Sequence, residues 1–135
     1  MKIFGPIAFV ILVMMSGISC SSGSGKSTSG DAVIAFDTLS HDFGEVRFGD
    51  EAEFEFVFTN SGKAPLIVTH VKSTCGCTVP DWSREPVNAR KRGSVYVTYD
   101  THRMGVFTKS IYVYSNATNG VQQLHIKGKV TSPGV

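Results

Sequence analysis

Between Glu51 and Asn60 the chain alternates with a period of two: Phe54, Phe56 and Phe58 fall on one side, Glu51, Glu53 and Glu55 on the other. Successive side chains leave a β-strand on opposite faces, so this stretch suits a strand with one face in a core and one in water. A helix would spread the three phenylalanines around its axis. No window from Asp31 onward sustains a helical period, whereas alternation recurs at roughly 8–12-residue spacing with turn signals between, as in all-β domains.

About seven strands are expected by this rule. The first covers Ala32 to Leu39, with Ile34 and Phe36 on one face, and a bend at His41-Asp42-Phe43-Gly44-Glu45-Val46 leads into a short strand anchored by Phe43 and Val46. Asn60-Ser61-Gly62-Lys63-Ala64-Pro65 reads as a turn, after which Leu66 to Val71 forms a strand whose Leu66, Val68 and His70 share a face. Ser94 to Asp100 turns Val95, Val97 and Tyr99 inward, Phe107 to Ser115 turns Phe107, Ile111 and Val113 inward, and Val121 to Val130 does so with Leu124, Ile126 and Val130. Asn116 to Gly120 is the hairpin turn between the last two. Val79 to Arg92 holds Pro80 and Pro86 and loses the rhythm, so it reads as a long crossover or an irregular edge strand, with Trp82 covering one end of the core. A chain crossing between sheets suits an immunoglobulin-like antiparallel β-sandwich better than a barrel.

The N-terminus sets the compartment. One charge at Lys2, an apolar run from Ile3 to Met15 and small residues up to Cys20 form a secretory signal. The run is about 13 residues, short of the ~20 that cross a bilayer. Gly17-Ile18-Ser19-Cys20 resembles a bacterial lipobox, which makes Cys20 the lipidated first residue of the mature chain. The alternative is a soluble secreted product cleaved near the same place. Ser21, where an acidic residue would retain a lipoprotein in the inner membrane, points to the periplasmic face of the outer membrane. The expected organisation is a signal peptide over residues 1–19, a Ser/Gly-rich tether over 20–30 and one sandwich domain over 31–135. Gly23-Ser24-Gly25-Lys26-Ser27 is not a phosphate loop, because the position of its first glycine is Cys20 and no strand precedes it.

Thirteen Lys and Arg against eleven Asp and Glu leave a net charge of +2, which gives no general reason to bind nucleic acid. With Cys20 acylated, two of three cysteines remain, Cys75 and Cys77, separated by Gly76. That spacing is tighter than the two-residue gap of thioredoxin-type or zinc motifs, and a glycine able to take positive φ would let the thiols meet. Three readings stand: a local disulfide or thiol pair that fixes a turn, a redox-active pair, or a Cu(I) site with His70 as a third ligand. His102 and Met104 flank a bend that could approach any loop, and Arg90-Lys91-Arg92 forms a basic turn. Asn116-Ala117-Thr118 matches a glycosylation sequon but reads as a plain turn. No Ser/His/Asp order or paired-carboxylate spacing stands out.

His41-Asp42-Phe43-Gly44, Phe56 with Asn60-Ser61-Gly62 and Pro65-Leu66, Ser73 to Thr78, Val97-Thr98-Tyr99-Asp100-Thr101, Gly105, Lys109, Ser115-Asn116 and Gly128 together resemble the bacterial exported family called domain of unknown function 1573. The resemblance implies a β-sandwich related to ASH-type domains, on a lipoprotein, with no assigned chemistry. The chain departs from it at Ala89-Arg90, where the family has a Pro-Gly turn. The expectation is a non-catalytic, lipid-anchored envelope protein with no cofactor, acting as an interaction or assembly module on an envelope protein partner. The alternative is a periplasmic copper-binding or thiol-redox protein using Cys75 and Cys77.

Overall fold

The computed structural model describes residues 30–133. The signal peptide, Cys20 and nearly all of the tether lie outside the described residues. Within them are eight strands: β1 (Ile34–Phe36), β2 (Ser40–Arg47), β3 (Glu53–Asn60), β4 (Val68–Ser73), β5 (Thr78–Trp82), β6 (Arg92–Tyr99), β7 (Gly105–Ser115) and β8 (Gln122–Thr131). They form two four-stranded sheets, ordered β1-β3-β6-β5 and β2-β8-β7-β4. The sandwich is therefore as expected, with two refinements. The expected first strand, Ala32 to Leu39, is only the three-residue β1, because the chain leaves that sheet after Phe36, and the bend expected at His41 to Val46 is itself strand, β2, which joins the other sheet at Ser40 and runs parallel to β8. The irregular segment contains an eighth strand, β5, paired antiparallel to β6 from Thr78 opposite Tyr99 to Trp82 opposite Val95.

β5 accommodates Pro80 because it is an edge strand. The Cys77 carbonyl accepts from the Asp100 N–H, so Cys77 faces β6. By alternation Pro80, three residues on, turns its nitrogen away from that ladder, where no N–H is needed.

The core follows the sequence pattern closely. Phe56, Val95, Val97, Ile111, Val113, Leu124 and Ile126 are fully buried, while Glu51, Glu53 and Glu55 are exposed. Aromatic rings fill the space between the sheets: Tyr99 of β6 stacks across on Phe107 of β7 at 3.7 Å, and Phe43 of β2, in the same sheet as Phe107, leans on it at 6.2 Å. Gly93 and Gly128 make this packing fit. A Cβ on Gly93 would stand 2.5 Å from the Phe58 ring, and one on Gly128 2.8 Å from the Phe107 ring.

One face assignment is corrected by the structure. β4 carries a bulge between Val68 and His70, so Val68 and Val71 point inward and His70 is exposed. The bulge inserts one residue and shifts the inward set from even to odd positions. Trp82 likewise closes the side of the sandwich between β5 and β4, rather than an end, by donating its indole N–H to the Val68 carbonyl at 3.2 Å.

The two ends of the sandwich differ. At one, Asn60 is fully buried and ties together the turn after β3, the entry of the chain and the approach to β6: its Oδ1 accepts from Gly62 and Val33, and its Nδ2 donates to the carbonyls of Ala64 and Val87. At the other, Tyr99 N–H donates to Ala52, Asp100 N–H to Cys77 and Thr101 Oγ1 to Asp50. The cysteines thus sit at the end opposite the chain's entry, separated from it by the length of β3, roughly 23 Å at ~3.3 Å per residue.

Candidate functional site

β4 runs up one edge of its sheet, turns through Cys75-Gly76-Cys77 and returns as β5 on the edge of the other. The sulfurs of Cys75 and Cys77 lie at bonding distance, 2.05 Å, with their Cα atoms 5.4 Å apart. Thr78 N–H closes the turn onto the Cys75 carbonyl at 3.4 Å, and the one Ser73 hydroxyl proton is shared between the Cys75 carbonyl at 2.7 Å and the Thr78 carbonyl at 2.9 Å. The hydroxyl therefore staples the last residue of β4 to the first of β5. Cys77 is buried, Cys75 is half-buried and Gly76 is exposed. Gly76 does not adopt the left-handed conformation expected of it, and a Cβ there would meet open space. The turn closes by hydrogen bonds rather than by glycine's backbone freedom.

His70 does not join the sulfurs in a cluster. Its ring stands edge-on to Trp82 at 6.3 Å and tilted against Tyr114 at 5.9 Å. Among the described residues no group of three or more His, Cys, Asp and Glu side chains comes together as a metal site. His102, at the same end as the cysteines, lies with Nδ1 2.8 Å from Asp100 and its ring against Phe48 at 5.3 Å. The His102 backbone N–H also donates to Asp100 Oδ1, and this bond first, then the His102 side chain, holds the Asp100 carboxyl below its ordinary range. His41 is placed elsewhere, in the seam between the sheets. It stacks on Phe54 at 3.7 Å and meets Phe43 edge-on at 4.6 Å, and burial there lowers its pKa.

Around the turn runs a strip that sequence reasoning did not single out. Tyr112 and Tyr114 on β7, Lys72 and His70 on β4, Trp82 on β5 and Arg84 line one side of the molecule. The Arg84 guanidinium lies 3.6 Å over the Trp82 ring. Ile67 and Tyr114 are 38% and 37% exposed, and a depression of about 350 Å³ is lined by Lys72, Ser73, Thr74, Tyr112 and Tyr114. The outward set Thr108, Ser110, Tyr112 and Tyr114 on β7 was readable from alternation alone, but its meeting with His70 depends on the β4 bulge.

The strip borders a sheet edge that Trp82 covers at Val68 and that, among the described residues, no strand covers beyond it. Thr74 N–H donates to Ser110 of β7. Alternation then turns the backbone N–H and C=O groups of Ser73 and Val71 away from β7, toward an edge to which no further strand is paired among the described residues.

Comparisons agree with this architecture. A protein of unknown function from Porphyromonas gingivalis W83 superposes with a TM-score of 0.66 at 14% identity, over 73% of this chain and 46% of that one. The ASH/PapD-like domain 7 of human CEP192 does so with a TM-score of 0.65 at 11% identity, over 77% of this chain and 89% of that one. The Vibrio cholerae VesB protease gives 0.57 at 13% identity, but the match spans only 31% of its chain. At such identities the likeness is one of fold, and this chain spans less than half of the first and third of these proteins. No curated protein matches the sequence. Residues 34–130 match a family as a whole, and the chain belongs to it: the family described as Protein of unknown function (DUF1573).

Proposed function

We propose that this protein is a non-catalytic envelope module, lipid-anchored through Cys20 on the periplasmic face of the outer membrane, which binds an envelope protein partner along the β4 edge. The observation that carries the reading is the combination on one side of the molecule: outward backbone groups at Val71 and Ser73, with Tyr112, Tyr114, His70 and Trp82 beside them. Exposed Tyr114 and His70 with half-buried Tyr112 and Trp82, beside an open sheet edge, suit an added strand, which takes affinity from main-chain hydrogen bonds and specificity from flanking side chains. In this reading Cys75 and Cys77 are a disulfide that fixes where β4 ends and β5 begins, with no cofactor.

Three experiments test it. A photo-crosslinking residue placed at Tyr114 should give one discrete adduct in intact cells, while one at Tyr96 on the outer face of the other sheet should give none. The reverse pattern moves the interface to the other face. Alkylation of unreduced protein followed by mass spectrometry should find neither Cys75 nor Cys77 labelled. Two labelled thiols, or stoichiometric bound Cu(I), would replace the structural disulfide with the metal or redox reading. Cys20→Ala should abolish lipid labelling and release the protein from membranes.

A further inference from the structure

The end of the sandwich where the chain enters is basic, and its geometry fits one kind of surface. Gly30 lies against Lys63, since a Cβ on Gly30 would stand 2.5 Å from the Lys63 Cβ. Asp31 accepts at its carbonyl from Lys63 N–H at 2.8 Å, and Asn60 pairs with Arg90 and Lys91 through its own N–H and C=O. Lys63, Arg90 and Lys91 are thereby gathered around Asn60 on the end from which the N-terminal residues depart. All three are exposed, and among the described residues no ion pair takes any of them, whereas Arg92 nearby is held by Asp37. Along the chain the nearest acidic residues are Glu55, on β3, and Glu85, and Asp31 stands beside Lys63 through its backbone.

Arg90 adds an independent observation. It is the one non-glycine among the described residues with positive φ, at 64°. A long cationic side chain in the left-handed region is a strained choice at a tight turn, where glycine would sit without cost. Such an outlier is a reason to look for a role of the side chain itself.

We infer that Lys63, Arg90 and Lys91 form a docking face for an anionic phospholipid bilayer, so that the domain stands on its tether end with the Cys75–Cys77 turn pointing away from the membrane. The proposal rests on the reading that the N-terminus holds the chain at a membrane. A ten-residue link from Cys20 to Gly30 reaches at most ~35 Å, which keeps this end within range of the headgroups. Each cation held at an anionic surface strengthens binding by about five-fold, an effect that salt screens within a Debye length. The standing orientation leaves the β4 edge and the tip at Phe48, His102 and Met104 accessible to a partner.

The test uses the full chain carrying Cys20→Ser, so that acylation plays no part, and measures sedimentation with phosphatidylglycerol-containing vesicles against neutral phosphatidylcholine vesicles. The neutral arm accounts for whatever the apolar residues 3–15 contribute. The excess partition onto anionic vesicles should fall about 25-fold in Arg90→Gly, Lys91→Gln, and stay close to the parent value in Lys127→Gln, Lys129→Gln, whose lysines lie on β8 away from this end. Equal losses in the two pairs would reduce the effect to net charge and overturn the docking face, as would no loss in the first. Arg90→Gly alone should raise the midpoint of urea unfolding while weakening anionic binding. A lowered or unchanged midpoint would show that Arg90 carries no strain and remove that argument. Loss of lipid labelling at Cys20 is read in a separate experiment, so failure of the anchor and failure of the docking face are distinguishable.

Discussion

Truncating Asn60 to alanine tests whether the tether end of the sandwich is organised as described. Asn60 is fully buried, and its amide makes four hydrogen bonds to backbone: Oδ1 to Gly62 N–H at 3.0 Å and to Val33 N–H at 3.4 Å, Nδ2 to the carbonyls of Ala64 at 2.8 Å and Val87 at 2.9 Å. A hydrogen bond contributes about 1 kcal/mol net, and an abandoned buried partner costs about 1–3 kcal/mol. Two circumstances lower the sum. The Val87 carbonyl keeps its bond from Leu66 N–H, and the groups of Val33, Gly62 and Ala64 are only partly buried, so water can reach them. The expected loss for Asn60→Ala is therefore about 3 kcal/mol, or a fall in midpoint of roughly 12–18 °C for a domain of this size. Urea unfolding followed by the fluorescence of the single tryptophan, Trp82, measures it, with the slope unchanged from the parent. Asn116→Ala is the control, because Asn116 bridges Ile67 N–H and the Pro65 carbonyl from an exposed position and should cost under about 1 kcal/mol. A loss below about 1 kcal/mol at Asn60 would refute the reasoning.

The remaining predictions concern the core, the cysteine turn and pH. Phe56→Ala should cost about 3–5 kcal/mol and Glu55→Ala under about 0.5, and equal costs would mean the faces of β3 are reversed. Gly76→Ala should change stability by less than about 0.5 kcal/mol, since neither φ nor space forbids a Cβ there; a large loss would show that the turn depends on glycine after all. Cys75→Ser, Cys77→Ser should stay folded and lose less than the ~2–4 kcal/mol of disulfides closing longer loops, read from the same urea curves. Asp100, whose pKa the His102 N–H lowers, favours the folded state above its unfolded value, and that contribution fades as pH falls below about 4. Asp100→Asn should flatten this acid limb of stability, and an unaltered limb would assign it to other carboxylates.

What was legible in the sequence was what local alternation encodes. Phe54, Phe56 and Phe58 announced β3, and Val95, Val97, Ile111, Val113, Leu124 and Ile126 marked the inner faces of β6, β7 and β8, because period-two burial is written residue by residue. Features set by pairing between distant segments were not legible. His70 read as inward because alternation from Leu66 and Val68 leads there, and only the bulge opposite β7 moves Val71 into the core instead. Thr78–Trp82 lacks alternation and holds a proline, so the sequence left a crossover and an irregular edge strand both open, and the bond between the Cys77 carbonyl and Asp100 N–H decides for the edge strand and sets its register. Asn60 read as a turn residue, and its four-bond role depends on Val33 and Val87, each 27 residues away. The cysteines were found from their spacing, but the aromatic strip beside them required His70, Trp82 and Tyr114 to be brought together by three strands.

The central claim is that the working part of this domain is the surface beside the β4 edge, with the thiols serving only the turn. Crosslinking from Tyr114 in the Cys75→Ser, Cys77→Ser variant tests it most directly, with unfolding measured on the same preparation to establish that the variant is folded. The account predicts the same discrete adduct, in a yield close to that of the parent protein. Disappearance of the adduct from a folded variant would contradict it and transfer the function to the sulfurs.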